Sequence, residues 1–313
     1  HEVYNMADRE LVIVGGGPGG SSAAVYAARS RIDTLLVTED FGGQLLLTDK
    51  VENYLGFPHE TGEGISERYE EHVRDYDEYV DVERETVERV AKEDGEFVVG
   101  TSKRTITAET VIVSTGTYAR RLDVPGEEEF RNRGISYCSV CDGPLYADEE
   151  VAVIGGGYSG TEGALFLSDI AEKVYLINYD DELSGEPITL EKIPEQDNIE
   201  VINRADTQEF FGEDMLQGLR YEDRDTEETH ELEVAGAFIE IGRIPNSDIV
   251  EGVEKDEEGR IVTDDHQRTS IDGLFAAGDV SDIAEEQAIL AAGEGCAAAL
   301  EAGRYLKEQE IEM

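Results

Sequence analysis

Basic residues are scarce in this sequence of 313 residues. Lys and Arg together number 26, of which 7 are Lys, against 73 Asp and Glu, and the formal net charge is −47. A charge of this size repels polyanions and anionic lipid surfaces, which excludes nucleic acid and membranes as partners. The acidic residues occur along the whole chain, as is typical of a hydrated surface in a high-salt cytoplasm, where salt screens carboxylate repulsion. A specific acidic docking face is the alternative.

Long hydrophobic runs are also missing. No stretch of 18 apolar residues occurs, so the sequence predicts no membrane span, and no signal peptide is visible. We therefore expect a cytoplasmic protein. Residues 1–5 precede Met6, and we expect the native chain to start at Met6.

Cysteine is rare, with three residues in all. That number excludes a disulfide framework, and a zinc site is disfavoured because Cys138 and Cys141 have no second pair to complete four ligands. Two thiols at this spacing can instead close a small redox-active disulfide. Asp142 follows the pair and could serve as a general acid to the departing thiolate. Cys296, in an Ala-rich stretch, is interpreted as a small buried hydrophobe.

Glycine is abundant, at 33 residues, and it marks a motif that occurs twice. Residues 11–17 read LVIVGGG, a strand entering a glycine turn; a small-residue helix and a second strand, 34–38, follow. The glycines of Gly15-x-Gly17-x-x-Gly20 allow a tight turn and a close approach to a pyrophosphate, and Glu39 stands where a carboxylate can bind ribose. This combination predicts a dinucleotide site.

The same pattern begins again about 140 residues later, with VAVIGGG at 151–157, a helix at 158–167 and a strand at 173–177. Strands are also predicted at 111–116 and at 274–280, before an Ala-rich helix at 284–307. The fold class predicted is α/β, with two Rossmann-like, three-layer dinucleotide-binding domains, the second inserted into the first. The predicted boundaries are 6–119 and 243–313 for the first domain and 120–242 for the second.

These motifs together resemble the low-molecular-weight thioredoxin reductases over nearly the whole chain. Matching stretches are GGGPGG at 15–20, GGQLLLTDKVENYLGFP at 42–58, STG at 114–116, CSVCDG at 138–143, GGGYSG at 155–160 and FAAGDV at 275–280. The resemblance implies a homodimeric FAD enzyme that reduces thioredoxin. The acidic composition adds the expectation of a halophilic archaeal source.

The resemblance also implies residue roles. Cys141 would lie next to the flavin, Cys138 would attack the thioredoxin disulfide, and Asp142 would be the acid. Residues expected to line FAD are Gly15, Gly17, Pro18, Gly19, Gly20, Glu39, Gly42, Gly43, Gln44, Asn53, Val82, Thr115, Gly116, Gly278, Asp279, Gln287 and Ala288. A second nucleotide would be held at Gly155, Gly157 and Gly160. No metal is expected.

The chain departs from the family where NADPH would be recognised. NADPH-using members carry arginines after the second strand of the inserted domain, whereas residues 178–184 here read NYDDELS. Carboxylates disfavour a 2′-phosphate, so Asp180 is a candidate ligand of an NADH ribose. Alternatively this domain binds no pyridine nucleotide and the electrons come from ferredoxin or a reduced deazaflavin. The family also has Arg where Glu286 stands, before Gln287 and Ala288.

We therefore expect a thioredoxin reductase-type flavoenzyme whose donor is ferredoxin, deazaflavin or NADH. Three alternatives stay open: an NADPH enzyme with an altered 2′-phosphate site, a flavin reductase that does not act on thioredoxin, and a redox sensor of the same fold. The first would need the high salt to change the electrostatics of the site. The flavin reductase does not require Cys138 and Cys141, so the presence of the pair argues against it. A redox sensor would show slow turnover and no thioredoxin reduction with any donor.

Overall fold

A computed structural model describes residues 7–47, 51, 53–283 and 285–312, so the start predicted at Met6 lies outside the described residues. The α-helices of this part of the chain are α1 (Pro18–Arg29), α2 (Gly62–Arg74), α3 (Ser139–Asp142), α4 (Tyr158–Ser168), α5 (Pro187–Lys192) and α6 (Ala288–Glu312). Short 3₁₀ turns cover Gly43–Leu47, Gly143–Tyr146 and Ile193–Glu195. No helix among the described residues combines the length and the apolar character needed to cross a membrane.

The β-strands are β1 (Arg9–Gly16), β2 (Thr34–Phe41), β3 (Val80–Arg84), β4 (Val87–Glu93), β5 (Glu96–Thr101), β6 (Thr105–Val113), β7 (Thr117–Ala119), β8 (Ile135–Ser136), β9 (Glu150–Ile154), β10 (Lys173–Ile177), β11 (Ile199–Ile202), β12 (Ala205–Gly212), β13 (Leu216–Asp223), β14 (Glu228–Glu233), β15 (Gly236–Ile239), β16 (Arg243–Pro245) and β17 (Leu274–Ala276). The chain forms two compact units. Unit 1 comprises the residues up to Tyr118 and from Ile244 onward, and unit 2 comprises Ala119–Arg243. The paired strands β7 and β16 lie where the chain passes between the units.

Unit 1 is built on a parallel sheet. β1 lies between β2 and β6 and is parallel to both, β3 extends the sheet beyond β2, and β17 pairs with the last residues of β6. β4 and β5 continue from the first residues of β6 as an antiparallel pair. The continuous apolar runs of β1, β2 and β6 are those of strands buried on both faces.

Both faces of the unit 1 sheet are covered. Successive side chains of a strand point to opposite faces, so Leu11 and Ile13 pack with α1 and α6, whereas Val12 and Val14 pack with β4 and β5. Glycine lets α1 and α6 come close: a Cβ on Gly295 would lie 1.9 Å from the carbonyl oxygen of Gly19. The three layers hold the amino end of α1 at the carboxyl end of β1.

The C-terminal helix begins later than the sequence predicted. The Ala-rich pattern predicted a helix over 284–307, whereas α6 runs from Ala288 to Glu312. Ala284 itself lies outside the described residues, and the residues between it and α6 are not helical. Gln287 therefore immediately precedes the helix, and Ala288 is its first residue.

Unit 2 repeats this plan. Its sheet has the order β11-β10-β9-β15-β8, and every pairing in it is parallel. Val151 and Val153 of β9 pack with α4, while Ala152 and Ile154 pack with side chains of the antiparallel sheet formed by β12, β13 and β14. The α/β class predicted from the sequence is confirmed in both units.

Candidate functional site

The first glycine turn joins β1 to α1, and two of its positions have room only for glycine. Gly15 has φ +104°, and a Cβ on it would lie 2.3 Å from the carbonyl oxygen of Ser114. A Cβ on Gly20 would lie 1.8 Å from the carbonyl oxygen of Gly15. These contacts hold the helix directly against the strand, as expected for a dinucleotide-binding turn.

Gly17 differs, because a Cβ there would meet no atom within 4 Å. It is the N-cap residue of α1, Pro18 is the first helical residue, and no side chain caps the helix or places an acid in its first turn. The first N–H groups of α1 have no acceptor within the helix and carry partial positive charge, so together with the open position at Gly17 they form a cradle for an anion. This cradle suits a pyrophosphate.

Two predicted cofactor residues lie farther along the same sheet. Glu39 is exposed at the end of β2 and accepts a hydrogen bond from the hydroxyl of Thr86 at 2.6 Å. Val82 of β3 pairs with Leu36 of β2 and is partly buried against the α1 and α6 cluster. Their contacts with a cofactor stay predictions.

Polar residues from distant segments of unit 1 form hydrogen bonds with one another. The Gln44 amide donates to Asp279 at 2.9 Å and to Thr117 at 3.1 Å, and the Asn53 amide donates to Gln287 at 3.2 Å. Gly42 and Gly43 precede Gln44 with φ values of +96° and +55°. The structure thus brings four residues predicted to line FAD into two hydrogen-bonded pairs.

Two residues that support this region were missed by sequence reasoning. The Asn246 backbone and side chain bond to Thr115 and Gly116 at 2.8–3.0 Å. Glu294 accepts the backbone N–H of Gly278 at 2.7 Å. Burial raises the pKa of Glu294, and the nearby carboxylates act in the same direction. Neither residue belongs to a recognisable motif, so no sequence signal could have found them.

The redox pair lies in unit 2. Cys138 and Cys141 form a disulfide with a Cα–Cα distance of 5.3 Å. Cys138 is the N-cap of α3, and its Sγ accepts the backbone N–H of Cys141 at 3.2 Å. Asp142 ends α3 and its carboxylate accepts the hydroxyl of Ser136 at 2.6 Å. The two sulfur atoms and a carboxyl group are therefore held within one turn of the chain. Exchange with a second disulfide can use all three groups.

A second carboxyl group next to the pair was not predicted. Glu240, the residue after β15, accepts both the backbone N–H of Ser139 at 2.9 Å and its hydroxyl at 2.7 Å. Burial raises the pKa of Glu240, although the two Ser139 bonds and Arg243 oppose this change. Glu240 is 101 residues from Ser139 in the chain, which is why local motifs did not reveal the contact.

The second glycine turn, between β9 and α4, reproduces the first. Gly155 has φ +126°, and a Cβ on Gly160 would lie 1.8 Å from the Gly155 carbonyl oxygen. The atom nearest to a Cβ on Gly157 would be the Ser184 carbonyl oxygen at 4.0 Å, and no side chain caps α4. The turn in unit 2 thus has the same open position and uncapped helix start as the turn in unit 1.

Register identifies the counterpart of Glu39 in unit 2. Val14 pairs with Val37 in unit 1, and Ile154 pairs with Ile177 in unit 2. Glu39 lies two residues after Val37, and Tyr179 lies two residues after Ile177, so Tyr179 occupies the position in unit 2 that corresponds to Glu39. Asp180 lies one residue beyond that position. Asp180 is exposed, and its role as an NADH ligand stays a prediction.

Two arginines from other elements approach this segment. Arg224 lies over the Tyr179 ring at 3.9 Å and donates to the Tyr179 carbonyl at 2.8 Å. Arg204 forms ion pairs with Asp181 at 2.9 Å and Asp225 at 2.7 Å. Both guanidinium groups are engaged within the protein, and carboxylates oppose the charge of Arg204.

Among the described residues, no group of three or more His, Cys, Asp or Glu side chains is placed to hold a metal ion. The structure instead shows two open glycine turns, one in each unit. Two pairs of polar side chains lie in unit 1, and carboxyl groups lie near the disulfide of unit 2. The cradle and polar pairs of unit 1 fit the pyrophosphate and hydroxyl groups of FAD.

Several known proteins are similar to this chain in sequence, and others are similar to it in fold. The sequence matches the pyridine nucleotide-disulphide oxidoreductase family model over residues 9–295. It is 41% identical over 97% of this chain to an NADH dehydrogenase of Ferdinandcohnia aciditolerans, covering 59% of that protein. It is 42% identical over 95% of this chain to an alkyl hydroperoxide reductase component of Pseudomonas putida, covering 58% of it. The chain thus spans about three fifths of these curated relatives.

A solved thioredoxin reductase of Streptococcus pyogenes superposes with a TM-score of 0.89 at 34% identity, over 96% of this chain and 98% of that one. The Rossmann-like character predicted for the fold is confirmed by this match. The family binds FAD, so the predicted cofactor is also confirmed. With two glycine turns, a redox disulfide and a family match over most of its length, the chain belongs to the pyridine nucleotide-disulphide oxidoreductase family.

Proposed function

We propose that the protein is a thioredoxin reductase-type flavoenzyme that passes electrons from FAD through Cys138 and Cys141 to the disulfide of thioredoxin. The observation that carries this proposal is the Cys138–Cys141 disulfide with the Asp142 carboxylate one residue away. We assign FAD binding to unit 1 and the redox pair to unit 2. A pair that must be re-reduced in every cycle suits a reducing compartment, so we place the protein in the cytoplasm.

The proposed exchange uses two sulfurs in turn. In the reduced pair, Cys138 passes its proton to the Asp142 carboxylate and attacks one sulfur of the partner disulfide, which forms a mixed disulfide and releases the other partner sulfur as a thiolate. Asp142 gives that thiolate a proton. Cys141 then attacks Cys138, so the Cys138–Cys141 disulfide forms again and the partner leaves as a dithiol. When bound and reduced by the donor, FAD would supply the electron pair that converts the disulfide back to two thiols for the next cycle.

We propose NADH as the electron donor. The second glycine turn retains an open cradle at Gly157, and a relative 41% identical to this chain is named an NADH dehydrogenase. The arginines of NADPH-using members are absent from 178–184, and nearby Arg204 is paired with two aspartates. These features favour a ribose with a free 2′-hydroxyl over one that carries a phosphate.

The donor can be tested by anaerobic titration of the flavin in molar KCl with NADH, NADPH, reduced ferredoxin and a reduced deazaflavin. We expect bleaching of the flavin at stoichiometric NADH and little with NADPH. An Asp180→Arg variant should respond less to NADH than the wild type, while Asp148→Arg, an exposed change in the same unit, should not. Reduction by ferredoxin or deazaflavin with no response to NADH would contradict the assignment.

A second candidate partner follows from the relatives. The chain is 42% identical to a component of an alkyl hydroperoxide reductase over 95% of its own length, so a disulfide carrier of hydroperoxide reduction could replace thioredoxin as the acceptor. Turnover assays with the cognate thioredoxin and with a cognate peroxidase disulfide protein distinguish the two. We expect thioredoxin to be reduced faster; exclusive turnover with the peroxidase would favour the second candidate.

We also propose that the enzyme is a homodimer and that it comes from a halophile. The dimer would cover exposed apolar side chains of unit 1 such as Leu55, Ile289 and Leu290. Sedimentation equilibrium in molar KCl should give twice the mass of the chain. A monomer at all concentrations would contradict the dimer.

A further inference from the structure

The redox disulfide has a carboxyl neighbour that the exchange proposed above does not use. Glu240 Oε1 accepts two hydrogen bonds from Ser139, at 2.9 Å from its backbone nitrogen and 2.7 Å from its hydroxyl. Ser139 follows Cys138 directly and is buried. Glu240 is therefore hydrogen-bonded to the residue next to the cysteine proposed to attack.

The fold holds Glu240 in this place from both sides. Its backbone N–H donates to the Ile154 carbonyl at 2.8 Å, which ties it to the end of β9. On α4, a Cβ added to Gly163 would lie 2.6 Å from Ser139 Oγ and 3.8 Å from Glu240 Cγ. The glycine of α4 thus leaves the space in which the serine and the carboxyl group meet.

The charged groups that face the redox pair can be named element by element. Glu240 faces Ser139 from the end of β15, and Arg243, three residues on, attracts its charge and donates to the Tyr137 carbonyl at 3.0 Å. On α3, Asp142 bonds to Ser136 at 2.6 Å. From α4 the facing residue is Gly163. The phenol of Tyr146 lies in the 3₁₀ turn after α3, and burial and the nearby Asp142 charge both raise its pKa. Two carboxyl groups, one phenol and one guanidinium therefore contribute to the local field.

We infer that Glu240 is a positioning residue of the redox pair: it holds Ser139 in place, and its negative charge keeps Cys138 as a protonated thiol once the disulfide is reduced. A nearby negative charge disfavours a second one, so the thiolate forms less readily. Because the thiolate is the attacking species, Glu240 restrains reaction with adventitious disulfides. This inference rests on the redox role proposed for the pair.

Glu240 also makes this restraint depend on pH. Burial raises the pKa of Glu240, against the opposing effects of Ser139 and Arg243. Below that pKa the side chain is neutral and its effect on Cys138 disappears. Above it the charge is present and the thiol is held protonated, so the restraint sets in as the pH rises through the raised pKa of Glu240.

The test is the pH profile of Cys138 alkylation. The reduced holoprotein is pulsed with iodoacetamide between pH 5 and 10 in molar KCl, and labelled Cys138 is quantified by peptide mass spectrometry. In Glu240→Gln, which keeps an oxygen acceptor for Ser139, we expect the midpoint to fall by about one pH unit, a roughly tenfold rise in alkylation rate on the acidic limb. In Glu191→Gln, an exposed charge removed from the same unit, the midpoint should not move.

A further variant separates charge from packing. Glu240→Asp keeps the charge and alters the contact, so its midpoint should stay closer to that of the wild type than to that of Glu240→Gln. An unchanged or higher midpoint in Glu240→Gln, or equal shifts in Gln and Asp variants, would overturn the inference. If Glu240→Gln does not fold, Ser139→Ala removes one bond that stabilises the charge and should lower the midpoint; no shift there would also overturn it.

This measurement needs neither thioredoxin nor an electron donor. A failure of the proposed function would appear as absent turnover with an intact alkylation profile shift. A failure of the Glu240 inference would appear as unchanged alkylation profiles in an enzyme that still reduces thioredoxin. The two outcomes are therefore distinguishable.

Discussion

Gly17 is the residue of the first glycine turn that we expect to face the FAD pyrophosphate, and its side of the turn is open. A Cβ there would touch no protein atom within 4 Å, so Gly17→Ala should fold normally while its methyl group enters the space of the pyrophosphate. We expect FAD affinity to fall by roughly 10- to 100-fold, equivalent to about 1–3 kcal/mol. The measurement is FAD rebinding to the apoprotein by fluorescence quenching.

A matched control for this change is Gly293→Ala, an exposed position on α6 where an added Cβ also meets no atom within 4 Å. It should bind FAD like the wild type and gain about 0.5–1 kcal/mol of helix stability. Wild-type affinity in Gly17→Ala would show that the pyrophosphate does not lie at this turn.

Asp142 is the acid proposed for the leaving thiolate, and its carboxylate is held by the Ser136 hydroxyl at 2.6 Å. Asp142→Asn keeps an oxygen for that bond but cannot supply a proton as a carboxylic acid. We expect thioredoxin reduction to slow by about 10²- to 10⁴-fold, while flavin reduction by the donor is unchanged. Stopped-flow measurement of the two half-reactions checks this.

The control is Asp148→Asn, an exposed residue with φ +62°, a conformation that Asn also tolerates. It should leave both half-reactions intact. A slower flavin reduction in Asp142→Asn, or no change in either step, would remove Asp142 from the proposed role.

Among single residues, the sequence identifies candidate site residues only where they are close neighbours in the chain. Cys138, Cys141 and Asp142 share one turn, and Gly15 to Gly20 form another, so their spacing alone is enough to predict a redox pair with an acid and a phosphate-binding turn. Glu240 and Glu294 reach Ser139 and Gly278 from other elements, and an isolated Glu carries no signal of burial. The contact is a product of the sheet and helix packing, which spacing does not encode.

At the scale of elements, the segment after β17 and the helix α6 share one titrating group. Burial, Asp279 and Asp282 raise the pKa of Glu294. Folding therefore favours its protonated form: that stabilisation is complete below the unfolded-state pKa and is lost as pH rises through the folded-state pKa. Glu294→Gln removes this titration and retains an oxygen for the Gly278 N–H.

We expect the free energy of unfolding of Glu294→Gln, relative to the wild type, to increase between pH 4 and pH 8 by up to about 1 kcal/mol, since solvent screens this partly exposed group. Urea unfolding in molar KCl at several pH values measures it, with Glu191→Gln as the exposed control. A constant difference across this range would show that Glu294 has no raised pKa.

The elements that the sequence predicts best are the buried parallel strands. β1, β2 and β9 are continuous apolar runs that end in glycine or polar turns, and burial on both faces demands such runs. The antiparallel strands β4 and β5 and the sheet of β12, β13 and β14 were not predicted. β14 reads ETHELE with mostly exposed residues, so it has no apolar pattern by which to recognise it.

For the whole molecule, the dominant property is its charge of −47. Mutual repulsion of carboxylates opposes the compact state, and it weakens as the Debye length falls from about 10 Å at 0.1 M salt to about 3 Å at 1 M. We expect the melting temperature to rise by several degrees or more between 0.1 M and 2 M KCl. A melting temperature that does not change with KCl would contradict the proposed adaptation to salt.

Two units, one inserted in the other, are predicted because the glycine motif occurs twice and FAAGDV has the pattern of a further strand of the first sheet; the chain divides at Tyr118 and Ile244. The electron donor is not predictable in the same way. It depends on the atoms around Tyr179 and Asp180, where Arg224 and Arg204 arrive from segments far along the chain. The preference for one donor depends on the electrostatic potential that all of these groups produce together. A short sequence motif describes only one of the segments and does not give that potential.

The central claim is that electrons leave through Cys138. The most direct measurement is a single turnover: the holoprotein is photoreduced under anaerobic conditions in molar KCl with one electron pair per flavin and mixed with the cognate thioredoxin disulfide, and new thioredoxin thiols are counted. We predict one dithiol per reduced enzyme in the wild type and none in Cys138→Ser, whereas Cys296→Ser should match the wild type. Thioredoxin reduction by Cys138→Ser at the wild-type rate and yield would contradict the claim.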